Sequence, residues 1–292
     1  MKLAIVGFGL IGSSLARAAQ RAYGASLNIT AIDPSQDVLT YAQETGLCHQ
    51  GSTSVLDIPK DCDWVILAAP VAASLALLDT VIKTVGPNTM LSDVGSTKAL
   101  IVDALNHRHP KFERFIPAHP MAGREVSGPK HGLATLFDNK LVILTPARAT
   151  VDAVTKAAES FYQKLGARTL RIDDASEHDR LMGYASHLPH LLAFAFVNLA
   201  ARGNNGTTDY QDLTGGGYRD FTRIAASDPT MWRDIFLGNK DNIVAQLDAF
   251  SSILTTYREA ILSDNDNSLT ELMREAQSER LRLKQIIKGQ DK

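Results

Sequence analysis

The chain has 292 residues, 45% hydrophobic and 21% charged, an ordinary globular composition too long for one comfortable core, so two domains are expected. With 30 Lys plus Arg against 32 Asp plus Glu, the formal net charge is -2, so the whole-chain positive field expected of a nucleic-acid binder is missing and only a local basic patch remains open. The two cysteines, Cys48 and Cys62, have neither CxxC nor metal-ligand spacing, and Met1 runs straight into an apolar segment without a signal-peptide pattern, so a reducing, cytoplasmic setting is expected.

The first half alternates short apolar runs with amphipathic ones. LAIVG (3–7), a helical pattern over 10–23 and LNITAID (27–33) form a βαβ unit. Further strands are predicted at DWVILAAP (63–70), TMLSDVG (89–95), FIPAHP (115–120) and KLVILTP (140–146), with helices at 36–45, 72–84 and 98–106. Most of these strands are continuous apolar runs, as in parallel sheets covered on both faces. The longest apolar stretch, 64–82, is interrupted by Pro70, Ser74 and Asp79 and reads as strand, turn and helix, so no membrane anchor is expected. A last α/β pair, 151–165 followed by ARTLRI, precedes a change of character near Asp173, after which only helical patterns recur.

In the final helix, Ser268 and Glu271 have capping-box spacing, Leu269, Leu272, Met273, Ala276, Leu283, Ile286 and Ile287 form the apolar stripe, and Gly289 can close it. The Gly/Asn/Thr-rich stretch 203–208 is the best candidate for a mobile loop. The layout is a doubly wound α/β domain over 1–172 and an all-helical domain over 173–292.

Gly7, Gly9 and Gly12 make G-x-G-x-x-G where the first strand meets the first helix, and Asp33 ends the second strand. Gly7 permits the turn, Gly9 lets backbone approach a pyrophosphate, Gly12 lets helix and strand pack, and the helix start at Leu10, Ile11 and Gly12 presents N–H groups to phosphate. Asp33 can accept from ribose hydroxyls and would repel a 2′-phosphate, which favours NAD over NADP. Ser35 and Gln36 could still hydrogen-bond such a phosphate, so NADP stays open. Pro70 closes the strand that would border the same crevice. The bland alternative is a structural glycine turn.

Three further clusters are unlike generic scaffold: SDVGSTK (92–98), AHPMAGREVSG (118–128), and SHLPH (186–190) together with GGGYRDFTRIAASDPTMWRDI (215–235). Residues just beyond strand C-termini line the ligand crevice of an open α/β sheet, where Ser96 and His119 would then sit. At about 100° per residue, Ser186, His187 and His190 fall within an arc of roughly 100°, and Pro189 removes a backbone hydrogen bond and can kink their helix. Bland readings stand beside each: a packed strand-end imidazole for His119, an N-cap for Ser96, a helix start for SHLPH, and salt bridges for Arg219 and Arg223. Trp232 could wall a pocket but is read as core, and His107, His109 and His131 as loop or surface residues. His187-x-x-His190 lacks a further metal ligand, so no metal is expected.

With GFGLIGSS, DVGSTK, HPMAGREVSG, His178-Asp179, SHLPH and the long GGGYRDFTRIAASDPTMW block in order, the sequence resembles the prephenate/arogenate dehydrogenase family of tyrosine biosynthesis. The resemblance implies a Rossmann domain followed by a helical dimerisation domain, a homodimer, and oxidation of a cyclohexadienyl carbinol by NAD with loss of the ring carboxylate as CO₂. It implies that His119 is the catalytic partner of the ring hydroxyl, that Ser96 bonds the same hydroxyl or orients the nicotinamide, and that Arg223 grips a substrate carboxylate. Glu125 would pair with an arginine and gate the pocket, and Ser186, His187 and His190 would face substrate; His178 has no clear role. Arg124 stands where relatives often carry a smaller or neutral residue, which could favour dianionic prephenate over arogenate. No regulatory ACT domain is expected after Lys292 and no chorismate mutase segment before Met1, so tyrosine feedback would act at the active site. Other Rossmann-plus-helical dehydrogenases of small hydroxy or imino acids, and a non-catalytic NAD-sensing protein, are the competing readings.

Overall fold

The structure, a computed structural model, describes residues 1–203 and 213–290, with side chains described through residue 283. The stretch 203–208, expected to be a mobile loop, lies outside the described residues except for Gly203.

Eight strands form one sheet: β1 (Lys2–Val6), β2 (Asn28–Ile32), β3 (Gln50–Ser52), β4 (Trp64–Leu67), β5 (Met90–Asp93), β6 (Phe115–Pro120), β7 (Leu141–Leu144) and β8 (Arg168–Arg171). Their order is β3-β2-β1-β4-β5-β6-β7-β8. All neighbours are parallel except β6 and β7, which pair antiparallel with His119 opposite Ile143. Strand β3 is absent from the sequence reading because Gln50, Gly51 and Ser52 carry no apolar signal; their pairing to β2 is what makes them a strand.

Five helices flank the sheet: α1 (Leu10–Tyr23), α2 (Gln36–Glu44), α3 (Val71–Thr84), α4 (Ala99–Arg108) and α5 (Asp152–Lys164). Alternation along β1 separates two cores. Leu3 and Ile5 pack with Leu15 and Ala19 of α1 and Phe161 and Tyr162 of α5, whereas Ala4 and Val6 pack with Leu78 of α3 and Ile101 and Leu105 of α4. Both cysteines are buried and free, and burial pushes the Cys62 thiol up to about 11, so each is a small core hydrophobe.

No strand among the described residues follows β8. Helices α6 (Ala175–Met182), α7 (Leu188–Gly203), α8 (Gly216–Thr222), α9 (Pro229–Gly238), α10 (Lys240–Leu262) and α11 (Asp266–Gln290) succeed it. By compactness the chain divides into Met1–Lys240 and Asp241–Lys292, later than the 172/173 boundary where strands give way to helices. The physical reason is that α6 packs on α4 and its Asp179 hydrogen-bonds the start of that helix.

In the second unit, α10 and α11 are joined by a short turn in which Asp264 adopts φ 49°. Asn265, not Ser268, caps α11: its Oδ1 accepts from Ser268 N at 3.0 Å, because the helix begins three residues earlier than the capping-box spacing suggests. Gly289 lies inside the helix instead of ending it, and the side chains of Ile286 and Ile287 are outside the described ones.

Candidate active site

The glycine turn leaves β1 where the strand order reverses, between β1 and β4, which is the ligand crevice of an open α/β sheet. Gly7 has φ 90°, and a Cβ there would stand 2.6 Å from Ala69 N, so backbone sign and the adjoining loop both demand glycine. A Cβ on Gly12 would run into Gly7 O. Gly9 differs: a Cβ would meet nothing within 4 Å. The space over it is open, and α1 has no side-chain cap, so the N–H groups of Leu10, Ile11 and Gly12 have no intrahelical partner.

Asp33 Oδ2 accepts from Phe8 N at 2.8 Å and Oδ1 from Ser35 N at 2.9 Å, so the carboxylate pins the glycine turn while keeping lone pairs for a ribose. Ser35 caps α2 through its hydroxyl, and Pro70, exposed, is the N-cap of α3 on the rim beside Gly7. The open glycine, uncapped helix start and carboxylate fit a dinucleotide.

His119 lies at the end of β6 and is only 6% exposed. Its Nδ1 is 3.0 Å from His178 Nε2. Burial, then His178, Lys98 and His187, hold its pKa well below the ordinary histidine value, so the ring is neutral at neutral pH. Lys98 is fully buried nearby; its ammonium pairs with the Asp93 carboxylate and donates to Ala118 O at 2.8 Å. Burial lowers Lys98 and raises Asp93, while each partner opposes that shift in the other.

Ser96 is half-buried in the β5–α4 connection, on the same sheet edge as His119. It does not cap α4. Asp179, from α6, takes Lys98 N at 2.7 Å and Ala99 N at 2.9 Å, so the cap comes from another segment.

Ser186 and His187 do not lie on the expected α-helical arc. Residues Gly183–His187 form a π-helical turn ahead of α7, a wider winding placed just before Pro189, whose missing N–H breaks the regular ladder. Ser186 O accepts from His190 Nδ1 at 2.8 Å, and the His190 ring stacks on Trp232. Trp232 is buried, in keeping with a core role, yet it also backs this histidine.

His187 Nδ1 accepts from Asn239 Nδ2 at 2.9 Å, and Asn239 also donates to Asp179 O at 2.7 Å. Burial pushes the His187 pKa down to about 4, so its proton sits on Nε2, a buried donor without a partner among the described residues. Leaving such a donor unsatisfied costs about 1–3 kcal/mol, which a ligand acceptor would recover.

Arg223, 63% exposed, forms an ion pair with Glu125. Both charges act on His190, Glu125 raising and Arg223 lowering its pKa against the larger effect of burial, which lowers it. The three are therefore neighbours. Arg219 is directed elsewhere, to Thr214 O at 3.3 Å, because the helix carrying it ends at Thr222. Arg124 donates to His131 O at 3.4 Å. His107 and His131 are exposed as expected, whereas His109 is half-buried and paired with Asp79.

The structure thus gathers His119 with His178, His187 and Lys98, and His190 with Trp232, Glu125 and Arg223. Lys98, Asp93, Asp179 and Asn239 join these groups although they are not among the expected site residues. The GSTK and HD motifs marked the first and third of these, but motif order carries no information on who meets whom.

Fold and site define an oxidoreductase of the dinucleotide-binding, doubly wound class. Two family models match most of it: the prephenate dehydrogenase nucleotide-binding domain over residues 15–171 and the prephenate dehydrogenase dimerization domain over 174–275. The cyclohexadienyl dehydrogenase of Zymomonas mobilis is 33% identical over 284 residues, 97% of this chain and 96% of that protein. Prephenate dehydrogenase of Bacillus subtilis is 33% identical over 84% of this chain and 66% of its own length. The crystal structure of prephenate dehydrogenase from Aquifex aeolicus, in complex with hydroxyphenyl propionate and NAD+, superposes with a TM-score of 0.89 at 32% identity, covering 97% of this chain and 98% of that one. The chain belongs to the prephenate dehydrogenase family.

Proposed function

We propose that the chain is an NAD-dependent dehydrogenase that oxidatively decarboxylates a cyclohexadienyl acid, prephenate, arogenate or both, in tyrosine biosynthesis. The observation that carries this is the buried, neutral imidazole of His119 at the strand edge beside an open dinucleotide crevice. Gly7, Gly9, Leu10, Ile11, Gly12, Asp33 and Pro70 would hold the dinucleotide, and Asp33 would disfavour a 2′-phosphate. When bound, NAD supplies the hydride acceptor.

His119 accepts the ring hydroxyl proton as hydride leaves the same carbon. The bond to the ring carboxylate then breaks, its electron pair passes into the ring, and the oxygen recovers the proton as CO₂ departs. Ser96 shares that hydroxyl. The Arg223 guanidinium offers a planar two-pronged grip to a substrate carboxylate once Glu125 yields it, and His187 offers its unpartnered Nε2–H. Ser186 fixes His190 through its carbonyl and so shapes the same pocket.

The match to a dimerization domain supports a homodimer built through the helical part, and domains divided at 172/173. No helix among the described residues is long and apolar enough to cross a membrane, in keeping with a cytoplasmic enzyme. The test is to assay purified protein with NAD or NADP against each acid, following NADH and released CO₂ together. Equal amounts of both products from at least one acid, with NAD preferred, are expected; no turnover of either acid by protein that still binds NAD overturns the reading.

A further inference from the structure

His119 does not stand alone. Its Nδ1 meets His178 Nε2 at 3.0 Å, and His178 Nδ1 meets Asp179 Oδ1 at 2.7 Å. All three side chains are buried. Asp179 is held from three further directions: Oδ1 by Lys98 N, Oδ2 by Ala99 N, and its backbone carbonyl by Asn239 Nδ2.

Proton positions follow from these partners. A carboxylate at a helix N-terminus, already accepting two backbone N–H groups, acts as an acceptor, so His178 must donate through Nδ1. With its Nδ1 proton given to Asp179, His178 presents Nε2 to His119 as the acceptor. His119 Nδ1 must therefore carry the proton in that bond, which leaves His119 Nε2 bare. Imidazole orientation and tautomer are set by the group behind the ring.

We propose that His178 and Asp179 are positioning residues that fix the proton of His119 on Nδ1 and present its Nε2 as the base for the ring hydroxyl. The inference rests on the reading of His119 as that base. In the step, the hydroxyl proton passes to His119 Nε2 as hydride leaves the ring carbon for the nicotinamide. The imidazolium so formed still donates through Nδ1 to His178, with the Asp179 charge one residue behind it. The proton returns to the oxygen when the ring carboxylate leaves as CO₂, so the relay ends in its starting state.

The relay also answers an electrostatic problem. The other charged and titratable groups acting on His119 are the Lys98 ammonium, from the β5–α4 connection, and His187, from the π-helical turn, and both disfavour a positive ring. Asp93 neutralises Lys98 from β5. Asp179 sets a carboxylate behind His178, hydrogen-bonded to the ring that in turn meets His119.

Three variants and one spectroscopic measurement test this. Asp179→Asn removes the negative charge behind His178; because Oδ1 takes both His178 Nδ1 and Lys98 N, the amide keeps its oxygen there and loses only the bond from Ala99 N. We expect kcat to fall at least about 100-fold, with KM for the acid and the NAD dissociation constant little changed. His178→Gln, whose amide oxygen can accept from His119 Nδ1, retains kcat within about 10-fold, whereas His178→Phe loses at least about 100-fold.

Long-range proton–nitrogen spectra of the histidine rings read the tautomer without turnover. In wild type, His119 and His178 both carry the proton on Nδ1. Wild-type His119 protonated on Nε2, or a folded His178→Phe enzyme with wild-type kcat, overturns the proposal. If Asp179→Asn does not fold, the His178 pair and the wild-type spectra decide alone. Wild-type turnover by His119→Ala would refute the base itself, a different failure, because the wild-type ring spectra would still report whether the relay exists.

Discussion

The His190 imidazole lies flat on the Trp232 indole, centroids 3.7 Å apart and planes at 20°. Its Nδ1 is simultaneously tied to Ser186 O, so the ring is fixed by face and by edge, and Nε2 remains as an acceptor. Trp232→Phe should raise KM for the acid several-fold and leave KM for NAD unchanged. Trp232→Ala should in addition lower stability by about 3–5 kcal/mol, the range for removing a buried aromatic. Steady-state kinetics and thermal melts separate the two effects; an unchanged KM in both variants would remove Trp232 from the site.

The glycines of the first turn should fail in different ways. Gly12→Ala forces a methyl into the Gly7 carbonyl and should lower Tm. Gly9→Ala has room in the free protein, so Tm should hold while KM for NAD rises at least about 10-fold, because the methyl occupies the space a pyrophosphate needs. Equal NAD affinity in Gly9→Ala and wild type would count against the crevice.

For Arg223→Ala we expect KM for the acid to rise about 10- to 100-fold, the equivalent of one lost charge-assisted hydrogen-bonded contact, with NAD affinity unaffected. Glu125→Gln removes the counter-ion that Arg223 holds in the free protein and should leave KM unchanged or lower. A higher KM in Glu125→Gln would mean that the glutamate orients the arginine instead of competing for it.

His119→Ala should depress kcat by at least two orders of magnitude, a size typical of lost acid–base help. The base must be neutral to work, so activity falls as pH falls. Because burial depresses the pKa of His119, the acid limb of kcat/KM should lie below the ordinary histidine range. A limb at or above that range would assign it to another group.

His187 makes stability depend on pH. Its pKa is pushed down to about 4 from an ordinary 6.5, so above 6.5 it is neutral in both states and adds no pH dependence. As pH falls from 6.5 towards 4, the unfolded chain binds a proton that the folded protein refuses, and stability drops by about 3 kcal/mol over that window. Urea unfolding between about pH 7.5 and 4.5 should show this fall, reduced in His187→Gln, which stays neutral throughout. Identical slopes would show that His187 is not protected.

Much of the architecture was legible in the sequence because the strands that carry it are continuous apolar runs: the expected segments at 3–7, 63–70 and 115–120 hold β1, β4 and β6. The glycine turn and Asp33 were readable because their partners are close in sequence. Strand β3 was not, since edge pairing needs no hydrophobicity. Nor was the π-helical turn, as periodicity assumes the α winding it departs from. His119 was visible from its motif, but Asp179, 81 residues beyond Lys98, is joined to the site only through folding.

That long-range cap limits how the protein can be divided. The two backbone N–H groups that start α4 belong to the nucleotide-binding half, yet the carboxylate that satisfies them belongs to the next matched segment. A fragment cut at 172 would surrender an N-cap worth about 0.5–2 kcal/mol and uncover the buried face of His119. A hybrid joined there to a relative's helical part would inherit a foreign carboxylate at the same helix. Exchange between relatives is therefore expected to succeed with a junction near Lys240, where the compact unit itself ends, and to fail at the boundary that strands and helices suggest.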